Sequence, residues 1–371
     1  MGNHAQPRNA PAAARELAGP RVRCHWHAAG QADGQGRSAG AARPDGAARR
    51  RGRGGRLKHV VVTGAGAGIG RCVAETLAGQ GHRVWACARQ PADLAALGAI
   101  AGIEPVALDV RQPAQVQALA ERLPVLHGLV NNAGVGGLGW LHTFSDDEFQ
   151  DILDTNLLGP QRLSRALLPA LLAAGAGQGR IVHIGSMGGS ITSPLYGPYT
   201  ASKHALEALA QCQRLELAPH GVSVSIVQPG AVATGIGQRG AAGLRARLQR
   251  AGPPFAEAAA ALLAQLDGDG GAPAPFGPSQ PESASNRRQS PPAAVAAAVL
   301  HALFDGAPRA RYLVGSRWEG DRVVHQLIER LLDANEGEAM QMGRDELVAR
   351  LDAALAQRAA AGADAKAGRP C

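Results

Sequence analysis

Long apolar runs, lysine, aromatic residues and clustered cysteines are scarce or missing in this 371-residue chain. No stretch approaches about 18 consecutive apolar residues, which excludes a membrane-spanning helix. No basic n-region followed by an apolar h-region opens the sequence, which argues against secretion. The five cysteines (Cys24, Cys72, Cys87, Cys212 and Cys371) are odd in number and lack metal-ligand spacing. They read as reduced thiols of a cytoplasmic protein, and no metal site is expected. Aromatic residues make up 3% of the chain, so each one in a conspicuous place carries information.

Three residues are tyrosine, and of the 38 basic residues three are lysine, the remaining 35 being arginine. One of each stands four apart, in Tyr199-Thr-Ala-Ser-Lys203. By composition alone such a pair is expected about 0.02 times, in the manner of counting template matches. Ser186 lies thirteen residues upstream, beyond a strand and a loop. A phenol, an ammonium one helical turn away and a hydroxyl are the parts of a proton-transfer device.

The charge is unevenly spread. Residues 1–56 hold eleven arginines against Glu16, Asp33 and Asp45, a net of +8, while the remaining 315 residues balance. The arm is rich in Gly, Ala, Arg and Pro without apolar periodicity, and is expected to be disordered. A solvated tail is favoured over nucleic-acid contact by the run from Arg49 to Arg56 or an organellar transit peptide.

From Lys58 the pattern is α/β. Strands are expected at 59–62, 83–88, 105–109, 128–130, 180–184, 222–227 and 312–314, separated by helical patterns, notably Glu148–Leu172 and Tyr199–Leu217. This alternation implies a single doubly wound, Rossmann-type parallel sheet with helices on both faces. Residues 57–335 are expected to form the domain, with 238–292 as a Gly/Pro/Ser-rich insertion acting as a substrate lid and containing one short helix, Glu257–Leu266. Residues 336–371 complete the chain as a helix, Glu346–Gln357, and a tail.

Directly after the first strand and before a helix stands Thr63-Gly64-Ala65-Gly66-Ala67-Gly68-Ile69-Gly70. There glycines allow a tight turn and a helix N-terminus offers free N–H groups to a pyrophosphate. Asp109, at the end of the third strand, suits an adenine amino group. The second strand ends in Ala88-Arg89, with no acid to hold ribose hydroxyls. Arginine suits a phosphate, so NADP is expected over NAD, which stays possible.

Together these segments resemble the classical short-chain dehydrogenase/reductase family, over residues 57 to 235. The motifs are Thr63 to Gly70, Asn131-Asn132-Ala133-Gly134, Asn156, Ser186, Tyr199 with Lys203, and Pro229-Gly230 followed by Thr234. Gly185-Ser-Met-Gly-Gly189 and Ala310-Arg-Tyr-Leu-Val-Gly315 look most like the branch of 17β-hydroxysteroid and retinol dehydrogenases. The resemblance implies an oxidoreductase in which Tyr199 exchanges a proton with the substrate oxygen and Ser186 holds that oxygen. Lys203 would lower the phenol and reach the nicotinamide ribose, and Asn156 would link the lysine through water to solvent. Implied cofactor contacts are Thr63, Gly64, Gly66, Gly68, Ile69, Gly70, Arg89, Asp109, Val110, Asn131, Ala133, Gly134, Tyr199, Lys203, Pro229, Gly230, Val232 and Thr234. Thr234 would bond the carboxamide.

Bringing a tyrosine from about 10 to neutrality needs about 4 kcal/mol. One ammonium at about 4 Å supplies roughly that in an effective dielectric near 20. Val135, Trp140, Met187, Tyr196, Phe255 and Phe276 are expected to line the substrate site beside Ser186 and Tyr199. No arginine is placed to hold a carboxylate, which favours a lipophilic alcohol or ketone of steroid, retinoid or long-chain type. A non-catalytic dinucleotide sensor or scaffold, or an NAD-dependent enzyme of small polar hydroxy compounds, are the alternatives. Apolar faces on the helices of Asn156 and Tyr199 suggest a homodimer or homotetramer. His183, inside a strand, and His204, after the lysine, read as structural.

Overall fold

The computed structural model describes residues 57–267, 282, 288–337 and 341–367. The expected arm at 1–56 and Phe276 lie outside the described residues. Seven strands form one parallel sheet: β1 (His59–Thr63), β2 (Arg83–Ala88), β3 (Ile103–Ala107), β4 (Gly128–Asn131), β5 (Gly179–Ile184), β6 (Val222–Pro229) and β7 (Arg311–Val314). Their order is β3-β2-β1-β4-β5-β6-β7. The chain therefore reverses direction across the sheet between β1 and β4. In an open α/β sheet that crevice, beyond the carboxyl ends of the strands, is where ligands bind.

The helices between strands are α1 (Gly68–Gly79), α2 (Pro91–Gly98), α3 (Pro113–Glu121), α4 (Asp146–Leu153), α5 (Gly159–Ala173) and α6 (Gly197–Leu217). After β6 come α7 (Ile236–Gln249), α8 (Ala256–Asp267) and α9 (Pro292–Phe304), and after β7 α10 (Arg317–Ala334) and α11 (Arg344–Ala367). Alternation along each strand sorts the core into two layers. Val60 and Val62 join Val73, Leu77 and Val299 on one face. Val61, Leu129 and Ile181 pack with Leu163 and Leu167 on the other. Burial of both faces explains why these strands read as continuous apolar runs.

Four boundaries differ from expectation. The third strand ends at Ala107, so Asp109 lies in the loop beyond it, where Asp109 N donates to Gln115 Oε1 at 2.7 Å. The expected helix 148–172 is two helices joined by a π-turn at Asp154–Leu158. A further helix, α7, occupies the first part of the expected lid. The last helix runs from Arg344 to Ala367, well beyond Glu346–Gln357.

His183 is fully buried inside β5. Its Nδ1 meets Asn131 Nδ2 at 3.3 Å and its Nε2 meets Gln213 Oε1 at 2.9 Å. Gln213 passes the chain on to Gln161 at 2.8 Å, so a polar thread joins β4 and β5 to α5 and α6. Burial pulls the imidazole down to about 4 from an ordinary 6.5, with Gln213 opposing and Lys203 adding to the drop. Between those two values the unfolded chain binds a proton that the folded chain refuses, so stability falls as pH is lowered through that window. The loss amounts to about 3 kcal/mol. Urea midpoints between pH 7 and pH 4 should fall less steeply in His183→Gln than in the parent; identical slopes would contradict this account.

Candidate active site

The glycine-rich turn is built for close approach. Gly64 and Gly68 have φ of +63° and +57°, a region that disfavours side chains. A Cβ at Gly70 would overlap the Gly64 carbonyl and Asn132 Nδ2, so the glycine lets α1 press onto β1. A Cβ at Gly68 would lie 3.0 Å from Thr234 Cγ2, which brings the segment after β6 over the turn. α1 starts with no side-chain cap and no acid in its first turn. Its free N–H groups and dipole therefore suit an anion, and this cradle of glycines fits a dinucleotide pyrophosphate.

A clasp holds the cradle to β4. Thr63 Oγ1, fully buried, accepts from the backbone N of Asn132 and of Ala133 at 2.9 Å each. Asn132 Nδ2 donates to the carbonyls of Thr63 and Gly64 at 2.8 and 3.1 Å. Sequence reasoning singled out Asn131, but that side chain turns inward to Ser164 and His183, and its neighbour Asn132 does the clasping. Thr63 likewise spends its hydroxyl on the fold. The signal for Asn132 lay in the same motif.

At the other end of the cleft, two guanidiniums converge on one carboxylate. Arg111 meets Asp109 Oδ2 at 2.8 Å and Arg89 comes within 3.9 Å of the same oxygen. Arg111 holds Asp109 below the usual carboxylate range, chiefly through their side-chain hydrogen bond. Arg111 also reaches Asp151 at 3.1 Å. Asp109, expected to face an adenine amino group, is thus engaged with Arg111, a residue the sequence reading passed over. Its only sequence signal is position, two residues after that aspartate.

The carboxyl end of β5 and the first turns of α6 bring Ser186, Tyr199 and Lys203 together. Ser186 caps a short 3-10 turn, its Oγ accepting from Gly188 N at 3.0 Å. Lys203 is 6% exposed, and its Nζ donates to the Ile184 carbonyl at 2.9 Å. Burial pulls this ammonium down to about 8, with Glu207 opposing. The Nζ stands 5.8 Å from the centre of the Tyr199 ring. The phenol expected to be lowered by that ammonium is instead raised, first by burial and further by Tyr196, while a hydrogen bond with Ser186 pulls it back. The expectation failed because it counted the charge and omitted the desolvation.

Asn156 sits in the π-turn with no exposure. Its Oδ1 accepts from Val135 N at 2.8 Å, and its Nδ2 donates to Val135 O at 2.9 Å and Ser202 Oγ at 3.0 Å. The side chain thereby ties the loop after β4 to α6. Gly134 fits between: a Cβ there would be 3.3 Å from Asn156 Oδ1 and 3.8 Å from Lys203 Nζ. On the far side, Gly230 N donates to Val314 O at 2.8 Å and Ala231 N to Glu319 Oε1 at 2.8 Å. These bonds fix the turn that leads from Pro229 past Val232 to Thr234.

Of the expected substrate wall, Trp140 and Phe255 stack at 5.2 Å, with His142 on the same Phe255 ring at 5.9 Å. Gly139 N donates to Leu195 O at 2.9 Å, which places this loop beside Tyr196, itself 40% exposed. Met187 departs from expectation: it is a core residue, 2% exposed, with its methyl close to exposed Gly315. An unforeseen arginine also enters. Arg247 of α7, 9% exposed, donates to Leu138 O at 2.9 Å, pairs with Glu148 at 3.3 Å and lies 4.2 Å above the Phe144 ring. It walls a cavity of about 250 Å³ shared with Arg89, Arg111 and Val135. Helical spacing of Arg247 and Arg250 was the available hint, missed because no helix was expected there. Among the described residues, no helix is long and apolar enough to cross a membrane.

Comparison with known proteins matches the short chain dehydrogenase family to residues 58–243, 186 of the 371 positions. The uncharacterized oxidoreductase YbbO of Escherichia coli (strain K12) is 37% identical over 182 residues, 48% of this chain and 66% of that protein. Retinol dehydrogenase 5 of Mus musculus is 38% identical over 180 residues, 46% of this chain and 55% of that protein. The chain thus spans less than two thirds of either relative. A solved short chain dehydrogenase/reductase from Burkholderia phymatum, in complex with NAD, superposes with a TM-score of 0.59 at 28% identity, covering 74% of this chain and 95% of that one.

Proposed function

The chain belongs to the short-chain dehydrogenase family, and we propose that it interconverts a lipophilic alcohol and its ketone or aldehyde with Tyr199 as acid and base. The observation that carries this reading is the meeting of Ser186, Tyr199 and buried Lys203 at the carboxyl edge of the sheet that also bears the glycine cradle. Gly64, Gly68 and Gly70 with the start of α1 would hold the pyrophosphate, and Thr234 the nicotinamide end. When bound, the nicotinamide supplies the hydride that the carbonyl carbon accepts. Ser186 Oγ donates to the carbonyl oxygen and orients it. Tyr199 Oη gives that oxygen its proton, and the nearby Lys203 ammonium steadies the phenolate left behind. Burial raises the phenol, which suits it to serve as the proton donor when the step runs toward the alcohol.

The cofactor reading is NADP. Two arginines share Asp109 Oδ2, and Arg89 remains half exposed, so a 2′-phosphate would complete the charge balance. One observation favours NAD as a second reading: a Cβ at Gly66 would overlap the Asp93 carboxylate, which puts an acid beside the cradle. The substrate reading rests on the Trp140–Phe255 stack and partly open Tyr196, and likeness to retinol dehydrogenase 5 supports it. In this reading residues 57–335 form the catalytic unit, with α7 and α8 in a lid spanning 238–292.

Purified protein assayed with lipophilic ketones and each reduced dinucleotide tests the reaction. Tyr199→Phe should lower turnover about a thousand-fold while dinucleotide affinity stays unchanged; full activity in this variant would overturn the assignment. Arg89→Asp should lower the NADPH-to-NADH ratio of kcat/KM about ten- to a hundred-fold. An unchanged ratio would show that Arg89 does not read the phosphate.

A further inference from the structure

Lys203 is buried, yet the reaction proposed above uses it as an ammonium, so a neighbouring group has to help keep its charge. The surroundings of Nζ narrow the choice. On β5 the Ile184 carbonyl accepts from it at 2.9 Å, and burial favours the neutral form of His183. On the π-turn Asn156 is uncharged, and on α6 burial favours the neutral form of Tyr199. Arg330 of α10 lies against His204 Nε2 at 2.9 Å, one residue past the lysine. The acid that acts on the ammonium is Glu207, one turn further along α6.

Glu207 is held in place from three elements. Its side chain is 11% exposed. Oε1 accepts from Gln228 Nε2 of β6 at 2.9 Å, and Oε2 accepts from Arg311 Nη2 of β7 at 2.7 Å. Gln228, 1% exposed, also donates to Ser190 Oγ at 2.9 Å, and Ser190 closes the short turn that Ser186 opens. Two glycines bring that turn close. A Cβ at Gly185 would lie 3.2 Å from Glu207 Oε1, and one at Gly189 would lie 3.1 Å from Glu207 Cγ and 2.9 Å from Lys203 O. Lys203 and Glu207 therefore reach the end of β5 side by side, the ammonium at Ile184 and the carboxylate at Gly185.

We propose that Glu207 is a positioning residue of this site, whose fixed carboxylate holds the charge on Lys203 while Arg311 tempers it by sharing the same carboxylate. The inference rests on the catalytic role given to Lys203. Arg311 is 54% exposed, so a row of alternating charge runs from the cleft through Glu207 to the edge of the sheet. A carboxylate with this little access to water is costly to place, and its field on a neighbour is screened less than at the surface.

The test reads the lysine itself, apart from turnover. With ¹³C at the lysine ε-carbons, the Lys203 signal of Glu207→Gln should titrate about one pH unit below the parent's value of about 8. The fall of kcat/KM at alkaline pH should begin lower by the same amount, and Glu207→Asp should restore both. Arg311→Met should move the signal upward. A site merely loosened by Glu207→Gln would admit water and raise the lysine toward ~10.4, the opposite sign. An unmoved or raised signal in Glu207→Gln, or an unmoved one in Arg311→Met, would overturn the proposal. A lowered signal with an unmoved alkaline limb would instead overturn the catalytic role of Lys203 on which it rests.

Discussion

A single ammonium with almost no access to water organises this molecule. Lys203 is 6% exposed, and its Nζ rests on the Ile184 carbonyl at the end of β5. Burying a cation is costly unless other groups hold it, and its lowering to about 8 measures what remains uncompensated. The surroundings answer that cost piece by piece. Glu207, one helical turn on, raises the ammonium electrostatically. Gly134 carries the loop after β4 past Nζ, where a Cβ would stand 3.8 Å from the ammonium and press closer, at 3.3 Å, on Asn156 Oδ1. Asn156 gives both amide protons and one acceptor bond to holding that loop against α6.

The same economy governs the dinucleotide side. The carboxyl ends of β1 and β4 are neighbours, and Thr63 with Asn132 locks their two turns into one cradle. The turn after β6 is held from below by the buried Glu319 carboxylate and lies over Gly68 through Thr234. Thr63 and Glu319 are buried and hydrogen-bonded, so the two turns that frame the cleft are fixed by the fold itself. Such preorganisation is where an oxidoreductase gains, because a cleft already shaped by the fold needs no rearrangement to receive its ligand.

Residues whose chemistry is rare or whose conformation is constrained were legible in the sequence. Tyr199 and Lys203 stood out because both types are scarce, and the glycine turn because it sits between a strand and a helix. Strands buried on both faces showed as apolar runs and gave the doubly wound class. Side-chain direction was harder to read. Asn131 and Asn132 are adjacent and chemically identical, yet opposite sides of the strand end send one into the core and the other onto the cradle. Met187 looked like a pocket wall but is core. Arg247 is a surface-type residue whose importance comes from partners distant in sequence, and Arg111 matters because the fold turns it onto Asp109 and toward Asp151. The phenol of Tyr199 shows the same limit in energy terms, since burial belongs to the fold and spacing alone could not supply it.

The three lysines make the central claim directly measurable. Protein labelled with ¹³C at the lysine ε-carbons should give signals from Lys58, Lys203 and Lys366, followed through a pH titration. One signal, absent from Lys203→Met, should titrate near about 8 and should shift when NADPH is added. Three signals titrating near ~10.4, none of them moved by the dinucleotide, would contradict a site built around a desolvated lysine.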